Sequence, residues 1–268
     1  MIPFDLLYKL KDFLATTWPA IAAHYLETKT ADREPSLAEL KVKAGRGDAQ
    51  AQYELGSRYT LGKGVDQSDE MAISWYHKAG EQGHSKALVM VGMKCAFGHG
   101  TEKSYAEALK WFRKGACQNN PDAQTFMGYM YEFGYGVDRD AAEAAKWYHR
   151  AADNGGASAQ LFLSERYAEG HGVEQNDAEA YLWLFKSAMH NHPTAQLRMG
   201  ERYRNGELNE LDRVEAYAFF SLAARKLPEA TIARDQLELN MTTEMISAAQ
   251  RRSQQLRAQI KANERKHE

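Results

Sequence analysis

The chain has 268 residues, of which 44% are hydrophobic and 26% are charged, a composition typical of a globular protein. Its formal net charge of −2 provides no bulk field that would recruit nucleic acid or anionic lipid. No apolar run reaches the roughly 18–20 residues that cross a bilayer, and charged residues interrupt any secretion signal at the N-terminus. The sequence therefore predicts a cytoplasmic protein that binds no nucleic acid and does not insert stably into a membrane.

Residues 1–43 are predicted to form N-terminal amphipathic or capping helices. Within residues 1–31, apolar side chains recur at helical spacing, with Lys9, Lys11 and Asp12 on the other side. The apolar positions are Leu6, Leu7, Leu10, Phe13, Leu14 and Trp18. We expect this stretch to cap the element that follows; a membrane-surface helix is the alternative. Ser36 is expected to cap a short helix that leads into Gly45.

Residues 44–224 repeat with a period of 36 residues. Several columns keep this step throughout, and they contain small residues, aromatic residues or alanine. The columns are Gly56, Gly92, Gly128, Ser164 and Gly200; Trp75, Trp111, Trp147, Trp183 and Phe219; Ala51, Ala87, Ala123, Ala159 and Ala195; and Gly62, Gly98, Gly134, Gly170 and Gly206. The agreement of four columns in one register predicts five repeats, at about 44–79, 80–116, 117–152, 153–188 and 189–224.

Each repeat is predicted to form a helix, a turn and a second helix. In the first helix, Ala51, Leu55, Gly56 and Tyr59 fall on one face. A glycine at this position costs roughly 1 kcal/mol relative to alanine, which a close approach of the partner helix would offset. The loop begins with Gly62, where a left-handed C-cap is expected. Aromatic residues of the second helix are expected to fill the gap beside the small residues.

These motifs resemble the Sel-one-like repeat family, a relative of the tetratricopeptide repeat. The resemblance rests on an Ala-x-Ala-Gln entry, a Leu-Gly-x-x-Tyr core, a Gly-x-Gly-Val loop and a Trp-Tyr-x-Lys-Ala second helix. It implies an all-α fold: a right-handed α/α superhelical solenoid of five 36-residue helix-turn-helix repeats with N- and C-terminal capping helices. The fifth repeat departs from the pattern at Leu208 and Phe219, as expected near a cap.

Residues 225–268 are predicted to form C-terminal capping helices and a basic tail. A shorter helix is expected at about 229–240. A longer helix then follows residues 240–244 and uses Ile246, Ala249, Leu256 and Ile260 for packing. The excess of basic residues after Arg251 is typical of a solvated tail.

No sequence motif indicates catalysis, a cofactor or a metal site. The histidines mostly recur with the repeat and therefore do not converge on one place; His190 and His192 have no third ligand nearby in sequence. Neither a phosphate-binding loop nor a nucleophile elbow is present. We therefore expect a protein that is not an enzyme and has no cofactor.

A partner-binding surface is predicted on the first helices, which line the concave face in related tetratricopeptide arrays. Aligning the repeats gives a candidate apolar patch with a charged rim, the usual anatomy of a protein interface. The candidate residues are Met93, Tyr129, Glu132, Glu165, Glu201, Arg204, Met90 and Phe126. The alternative, most open for Met90 and Phe126, is that these side chains face the core between repeats.

The resemblance implies a protein–protein interaction module, an adaptor or scaffold of a bacterial cell that holds a protein or peptide partner. Two alternatives from the same resemblance remain open at this point. One is an immunity protein that neutralises a secreted bacterial toxin. The other is a hydrolase acting on cell-wall material, which would need a convergent polar cluster.

Overall fold

A computed structural model describes residues 35–207 and 212–265, and this part of the chain is entirely helical. The predicted all-α fold of tandem helix pairs is confirmed. The helices are α1 (Leu37–Gly45), α2 (Ala49–Leu61), α3 (Asp69–Glu81), α4 (Ser85–Phe97), α5 (Tyr105–Cys117), α6 (Pro121–Phe133), α7 (Ala141–Asp153), α8 (Ala157–Glu169), α9 (Asp177–Met189), α10 (Pro193–Asn205), α11 (Arg213–Ala223), α12 (Pro228–Glu238) and α13 (Thr243–Glu264).

The chain forms two compact units, one ending at Trp111 and the other beginning at Phe112, within α5. In the first unit, α1 packs on α2, α2 on α3, and α3 on α4. In the second unit, α6 pairs with α7, α8 with α9, and α10 with α11, and each pair packs on the next. We call the first helix of each repeat the A helix and the second the B helix.

The first described helix begins where the sequence predicts. The Ser36 hydroxyl accepts a hydrogen bond from the Glu39 amide at 3.2 Å, and the Glu39 carboxylate accepts one from the Ser36 amide at 2.8 Å. This capping box satisfies two amides that have no partner within the helix. The amphipathic helix predicted within residues 1–31 lies outside the described residues.

Every A helix ends at a glycine C-cap. Residues 62, 98, 134, 170 and 206 all adopt the left-handed conformation, with φ between 66° and 75°, which confirms the predicted C-caps. The second loop glycine has another role. A Cβ added to Gly172 would collide with the Ala141 carbonyl, and one added to Gly100 would collide with that of Asp69. These loops therefore pack against the start of the preceding B helix.

The glycine inside the A helix lies beneath an aromatic ring of the B helix. A Cβ on Gly128 would lie 2.6 Å from the Tyr148 ring, and one on Gly200 would lie 2.5 Å from the Phe220 ring. The predicted pairing of small and aromatic residues is thus confirmed within single repeats. In the fourth repeat, where Ser164 replaces glycine, the position equivalent to Tyr148 is Leu184, which carries no ring.

Buried glutamines join successive helices. The Nε2 atoms of four glutamines donate to carbonyl oxygens in the last turn of the preceding helix, at 3.1–3.2 Å. The pairs are Gln52 with Ala44, Gln124 with Ala116, Gln160 with Ala152, and Gln196 with Ala188. Each of these carbonyls also accepts the backbone amide three residues further on, so the glutamine supplies a second hydrogen bond at the helix end. The glutamine of the Ala-x-Ala-Gln pattern is therefore a helix-joining residue.

The C-terminal helices pack on the fifth repeat. Both α12 and α13 contact α11, and α13 also contacts α9. Ala249, Leu256 and Ile260 of α13 are buried, as the sequence predicts, and the Arg252 Nε donates to Glu215 of α11 at 2.5 Å. No helix within residues 35–207 and 212–265 is both long and apolar enough to cross a membrane.

Candidate functional site

The candidate site is the stripe of A-helix residues that sequence alignment of the repeats assigns to partner binding. We call this the A-face stripe; in α8 it runs through Phe162 and Glu165, in α4 through Met90 and Met93, and in α6 through Phe126 and Tyr129. Residues three apart lie on one face of a helix, so the two positions named in each helix share a face of that helix.

In the first unit, the stripe of α4 does not reach the surface. Met90 is 0% exposed and Met93 is 1% exposed, so neither offers area to a partner in this structure. The expectation of an exposed apolar patch at these two residues is therefore corrected. The sequence identified a column of equivalent positions but did not show which members of that column are covered.

In the second unit, the stripe of α6 is likewise buried, because its aromatic residues pack on one another. Phe126 stacks on Phe112 with 4.6 Å between ring centroids, and it retains 5% exposure. Tyr129 retains 7% exposure and lies against the Phe133 ring at 4.5 Å. The apolar centre predicted from Phe126 and Tyr129 is thus a packed aromatic cluster rather than an open patch.

Glu132 forms a buried ionic cluster instead of a solvated rim. Its Oε2 accepts a hydrogen bond from the Tyr148 hydroxyl at 2.7 Å, and its Oε1 pairs with the Arg166 guanidinium. Burial and the neighbouring Glu132 carboxylate raise the pKa of Tyr148 well above its usual range, so the phenol stays protonated and donates. Both carboxylate oxygens are thereby used within the fold.

Arg166 was not predicted as a site residue, although a signal for it exists in the sequence. Its column at 36-residue spacing is basic in four of the five repeats and contains Arg58, Lys94, Met130, Arg166 and Arg202. The Arg166 side chain is 10% exposed and also lies 3.7 Å from Glu165 and 3.5 Å from Glu169. The guanidinium therefore fixes the position of acidic side chains on α6 and α8.

Glu165 continues this network onto the next A helix. Its Oε1 accepts a hydrogen bond from Arg198 Nη1 of α10 at 2.5 Å, and the Glu165 side chain is 24% exposed. The Arg198 side chain is 42% exposed. A line of ion pairs thus runs from α6 through α8 to α10, and its last members lie at the surface.

Glu201 and Arg204 are the two predicted site residues on α10, and both are partly exposed. Among the described residues, no ion pair involves Glu201. The Arg204 guanidinium lies 5.7 Å above the Phe220 ring and contacts Asn205 Oδ1 at 3.5 Å. With Glu165 and Arg198, these residues form a partly exposed charged surface on α8 and α10, which we call the α8–α10 surface.

Two of the described histidines act as helix caps. His84 Nδ1 accepts the Ala87 amide at 3.2 Å, and His192 Nδ1 accepts the Ala195 amide at 3.4 Å, so both rings cap A helices in their neutral form. Burial, followed by Arg198 and Lys226, lowers the pKa of His192 to about 4. In the described ranges, no three histidine, cysteine or carboxylate side chains come together as metal ligands would.

Comparisons with known proteins agree with the fold. The model of the Sel1 repeat matches residues 49–84, 85–120, 121–156, 157–192 and 193–226. A similar solved structure is a protective antigen of uropathogenic Escherichia coli strains with an SLR fold, at 29% identity and a TM-score of 0.66. That match covers 86% of this chain and 49% of the antigen, so this chain spans about half of the antigen's length.

Two further solved structures differ in their similarity to this chain. A Sel1 repeat protein from Oxalobacter formigenes has 28% identity and a TM-score of 0.65, with 83% of this chain and 99% of that chain covered. An immunity protein from Pseudomonas aeruginosa has 16% identity and a TM-score of 0.49, with 82% and 84% covered, and this likeness carries no functional argument. No curated protein matches the sequence.

Proposed function

We propose that this chain, which belongs to the Sel1 repeat family, binds a protein or peptide partner through the α8–α10 surface. Sel1 repeat proteins are generally protein-interaction modules, and the fold is typically a non-catalytic scaffold. The proposal assigns the contact to Glu165 of α8 and to Arg198, Glu201 and Arg204 of α10.

The observation that supports this choice is the contrast in exposure along the stripe. Met93 is 1% exposed, whereas Glu165 occupies the equivalent position in α8 and its side chain is 24% exposed. A partner can touch only side chains that reach the surface, so α8 and α10 are better candidates than α4.

The arrangement of charges supports recognition of a polar partner. Arg198 holds Glu165 in one orientation, which lowers the entropy that this carboxylate loses on binding. Glu201 and Arg204 carry opposite charges at partly exposed positions three residues apart. Such a pair favours a partner with a basic residue opposite Glu201 and an acidic residue opposite Arg204, because electrostatic complementarity fixes the register of a complex.

The convergent polar cluster of Glu132, Tyr148 and Arg166 does not favour the hydrolase alternative. Both oxygens of Glu132 are bound by these two side chains, and the Tyr148 ring is buried. A general acid or base must reach a substrate proton within hydrogen-bond distance, and this carboxylate is enclosed by its own partners. We therefore assign the cluster to holding A and B helices together.

Affinity capture with a charge-exchanged variant tests the proposal. The immobilised wild-type chain and Glu201→Arg/Arg204→Glu are each exposed to an extract of the cells that produce the protein. The control, Glu143→Lys/Lys146→Glu, exchanges an exposed i,i+3 ion pair on the B helix α7. Both variants keep the net charge. We expect a stoichiometric partner that wild type and control retain and the α10 variant loses.

Retention of the same partner by the α10 variant would place the binding surface elsewhere. Failure of the wild-type chain to retain any protein at stoichiometric yield would count against the interaction function itself. Circular dichroism of each variant checks that a loss of binding does not follow from a loss of helix.

A further inference from the structure

The B helices of the repeats carry two columns of basic residues that differ in their contacts. In the first column, the Lys110 ammonium group lies 2.6 Å from the Glu107 carboxylate. That of Lys146 lies 2.9 Å from Glu143 in the same way. Each pair joins residues three apart on one helix, so these charges are compensated locally. The second column lies four residues further along the helices, and its members are Lys78, Lys114, Arg150 and Lys186.

In α7 and α9, the cations of the second column lie on tryptophan rings of their own helices. The Arg150 Cζ lies 4.7 Å from the centroid of the Trp147 ring. The Lys186 Nζ lies 3.8 Å from the centroid of the Trp183 ring. A cation–π contact holds a cation in place but adds no counter-charge. Within the described part of the chain, no carboxylate forms an ion pair with either cation, although Asp153 follows Arg150 by three residues.

The two cations lie at corresponding ends of neighbouring helices. Each is in the last turn of its B helix, where the negative end of the helix dipole favours a positive charge. The helices meet through the rings of His149 and Trp183, whose centroids are 5.7 Å apart. Since α7 and α9 occupy equivalent places in successive repeats, their basic ends lie on the same side of the second unit. Glu143 and Glu179 lie in the first turns, at the other ends of these helices.

An exposed apolar side chain lies on α9 beside these cations. Leu182 is 41% exposed, and it precedes Lys186 by four residues, so the two side chains share a face of the helix. The equivalent position in α7 holds Lys146. Arg150, Leu182 and Lys186 together form a surface with two cations that lack a carboxylate partner and one apolar contact, which we call the B-face row.

We propose that the B-face row binds an acidic segment of a partner protein, whose carboxylates contact Arg150 and Lys186 and whose apolar side chain contacts Leu182. Complementary charge favours this occupant, since both cations are held in place and have no carboxylate of their own. An anionic bilayer fits less well, because its wide surface would also meet Glu143 and Glu179, which are partly exposed. A narrow segment contacts the basic ends of the helices alone.

The B-face row and the α8–α10 surface are independent of each other. The first lies on B helices and the second on A helices. The charge exchange on α10 leaves Arg150 and Lys186 unchanged, and the substitutions that test the B-face row leave Glu201 and Arg204 unchanged. Either proposal can therefore fail without the other.

Fluorescence anisotropy with labelled oligoglutamate tests the inference in the full-length chain. Arg150→Gln/Lys186→Gln removes both charges, and it should weaken binding about tenfold, because two exposed charge pairs are lost. Arg150→Lys/Lys186→Arg keeps the charges and should recover most of the affinity, since both residue types occupy this column. The control, Arg251→Gln/Lys261→Gln, removes two exposed charges from α13 and should bind within about twofold of wild type.

Several results would overturn the inference. They include no oligoglutamate binding by wild type and unchanged binding by Arg150→Gln/Lys186→Gln. Equal weakening by the α13 control would also do so, because binding would then follow net charge rather than the B-face row. Cosedimentation of wild type with phosphatidylcholine–phosphatidylserine vesicles that Arg150→Gln/Lys186→Gln abolishes would assign the row to a lipid surface instead.

A second probe tests the apolar contact. An oligoglutamate with one central leucine should bind wild type about threefold more tightly than the plain oligomer, because the leucine is partly buried against Leu182. Leu182→Asn should remove this difference between the two probes. A leucine effect that persists in Leu182→Asn would place the apolar contact elsewhere and overturn this part of the inference.

Discussion

The neutral His192 cap makes the stability of the fifth repeat depend on pH. His192 Nδ1 accepts the Ala195 amide, and a protonated ring cannot accept. Burial lowers the pKa of His192 from 6.5 to about 4. Because the folded value lies below the unfolded one, the unfolded state takes up the proton first. The stabilisation is complete above pH 6.5 and is lost as the pH falls through 4.

The magnitude follows from these two values. With pKa values of about 6.5 unfolded and about 4 folded, protonation destabilises the fold by about 0.2 kcal/mol at pH 7 and about 2 kcal/mol at pH 5. His192→Asn removes the titration and keeps a capping side chain, as Asn120 shows at the start of α6 by accepting the Ala123 amide at 2.9 Å. As the pH falls from 7 to 5, the free energy of unfolding of wild type should therefore drop by about 2 kcal/mol more than that of the variant.

Urea denaturation followed by circular dichroism at pH 5, 6, 7 and 8 measures this difference. His77→Asn serves as the control, because His77 is exposed on α3 and its nearest carboxylate is the surface residue Glu81 at 3.4 Å. The control should keep the pH dependence of wild type to within a few tenths of a kcal/mol. Parallel curves for wild type and His192→Asn would refute the assignment of a neutral buried cap.

Three further predictions concern the packing of the repeats. Gly128→Ala should cost about 1–3 kcal/mol because its Cβ would lie 2.6 Å from the Tyr148 ring, whereas Gly45→Ala, with nothing within 4 Å, should cost nothing; thermal denaturation compares the two. Glu132→Gln should cost about 3–5 kcal/mol by leaving Arg166 buried without its main counter-charge, and a Glu132→Gln/Arg166→Met chain should recover part of the loss in the same assay. Gln160→Leu should cost about 0.5–1.5 kcal/mol by removing the buried hydrogen bond from α8 to the Ala152 carbonyl of α7, and hydrogen exchange should show faster opening of α8.

The repeat columns predicted the helix pairs because each column records a local requirement that recurs in every repeat. Gly62 and its equivalents are needed for a left-handed C-cap, and Gly128 is needed because Tyr148 lies against it. Both requirements concern residues within one repeat or its loop. Periodicity in the sequence is sufficient to reveal constraints of this kind.

The exposure of the A-face stripe could not be predicted in the same way. Met93 and Glu165 occupy one column, yet the first is buried and the second is partly exposed. What covers a helix depends on side chains at other positions, such as Phe112 beside Phe126 and Phe133 beside Tyr129, and the column carries no information about them. For this reason Met93 and Tyr129 were predicted as surface residues but lie in the interior, and for Met90 and Phe126 the structure agrees with the alternative that they face the core.

The repeat columns also did not predict the ion-pair partners of the basic residues. Lys94 and Arg166 are equivalent in sequence, but Lys94 pairs with Asp69 of the preceding B helix at 2.5 Å, whereas Arg166 pairs with Glu132 of the preceding A helix. In the repeat before Arg166, the residue equivalent to Asp69 is Ala141. The basic column was visible in the sequence, and its partners required the three-dimensional arrangement.

Titration calorimetry with the captured partner tests the central claim most directly. The purified partner is titrated into wild type, Glu201→Arg/Arg204→Glu and the α7 control Glu143→Lys/Lys146→Glu. If the α8–α10 surface binds the partner, the first variant should weaken binding at least about tenfold, or 1.4 kcal/mol, while the control matches wild type. Equal affinity for all three chains would contradict the account and exclude this surface as the binding site.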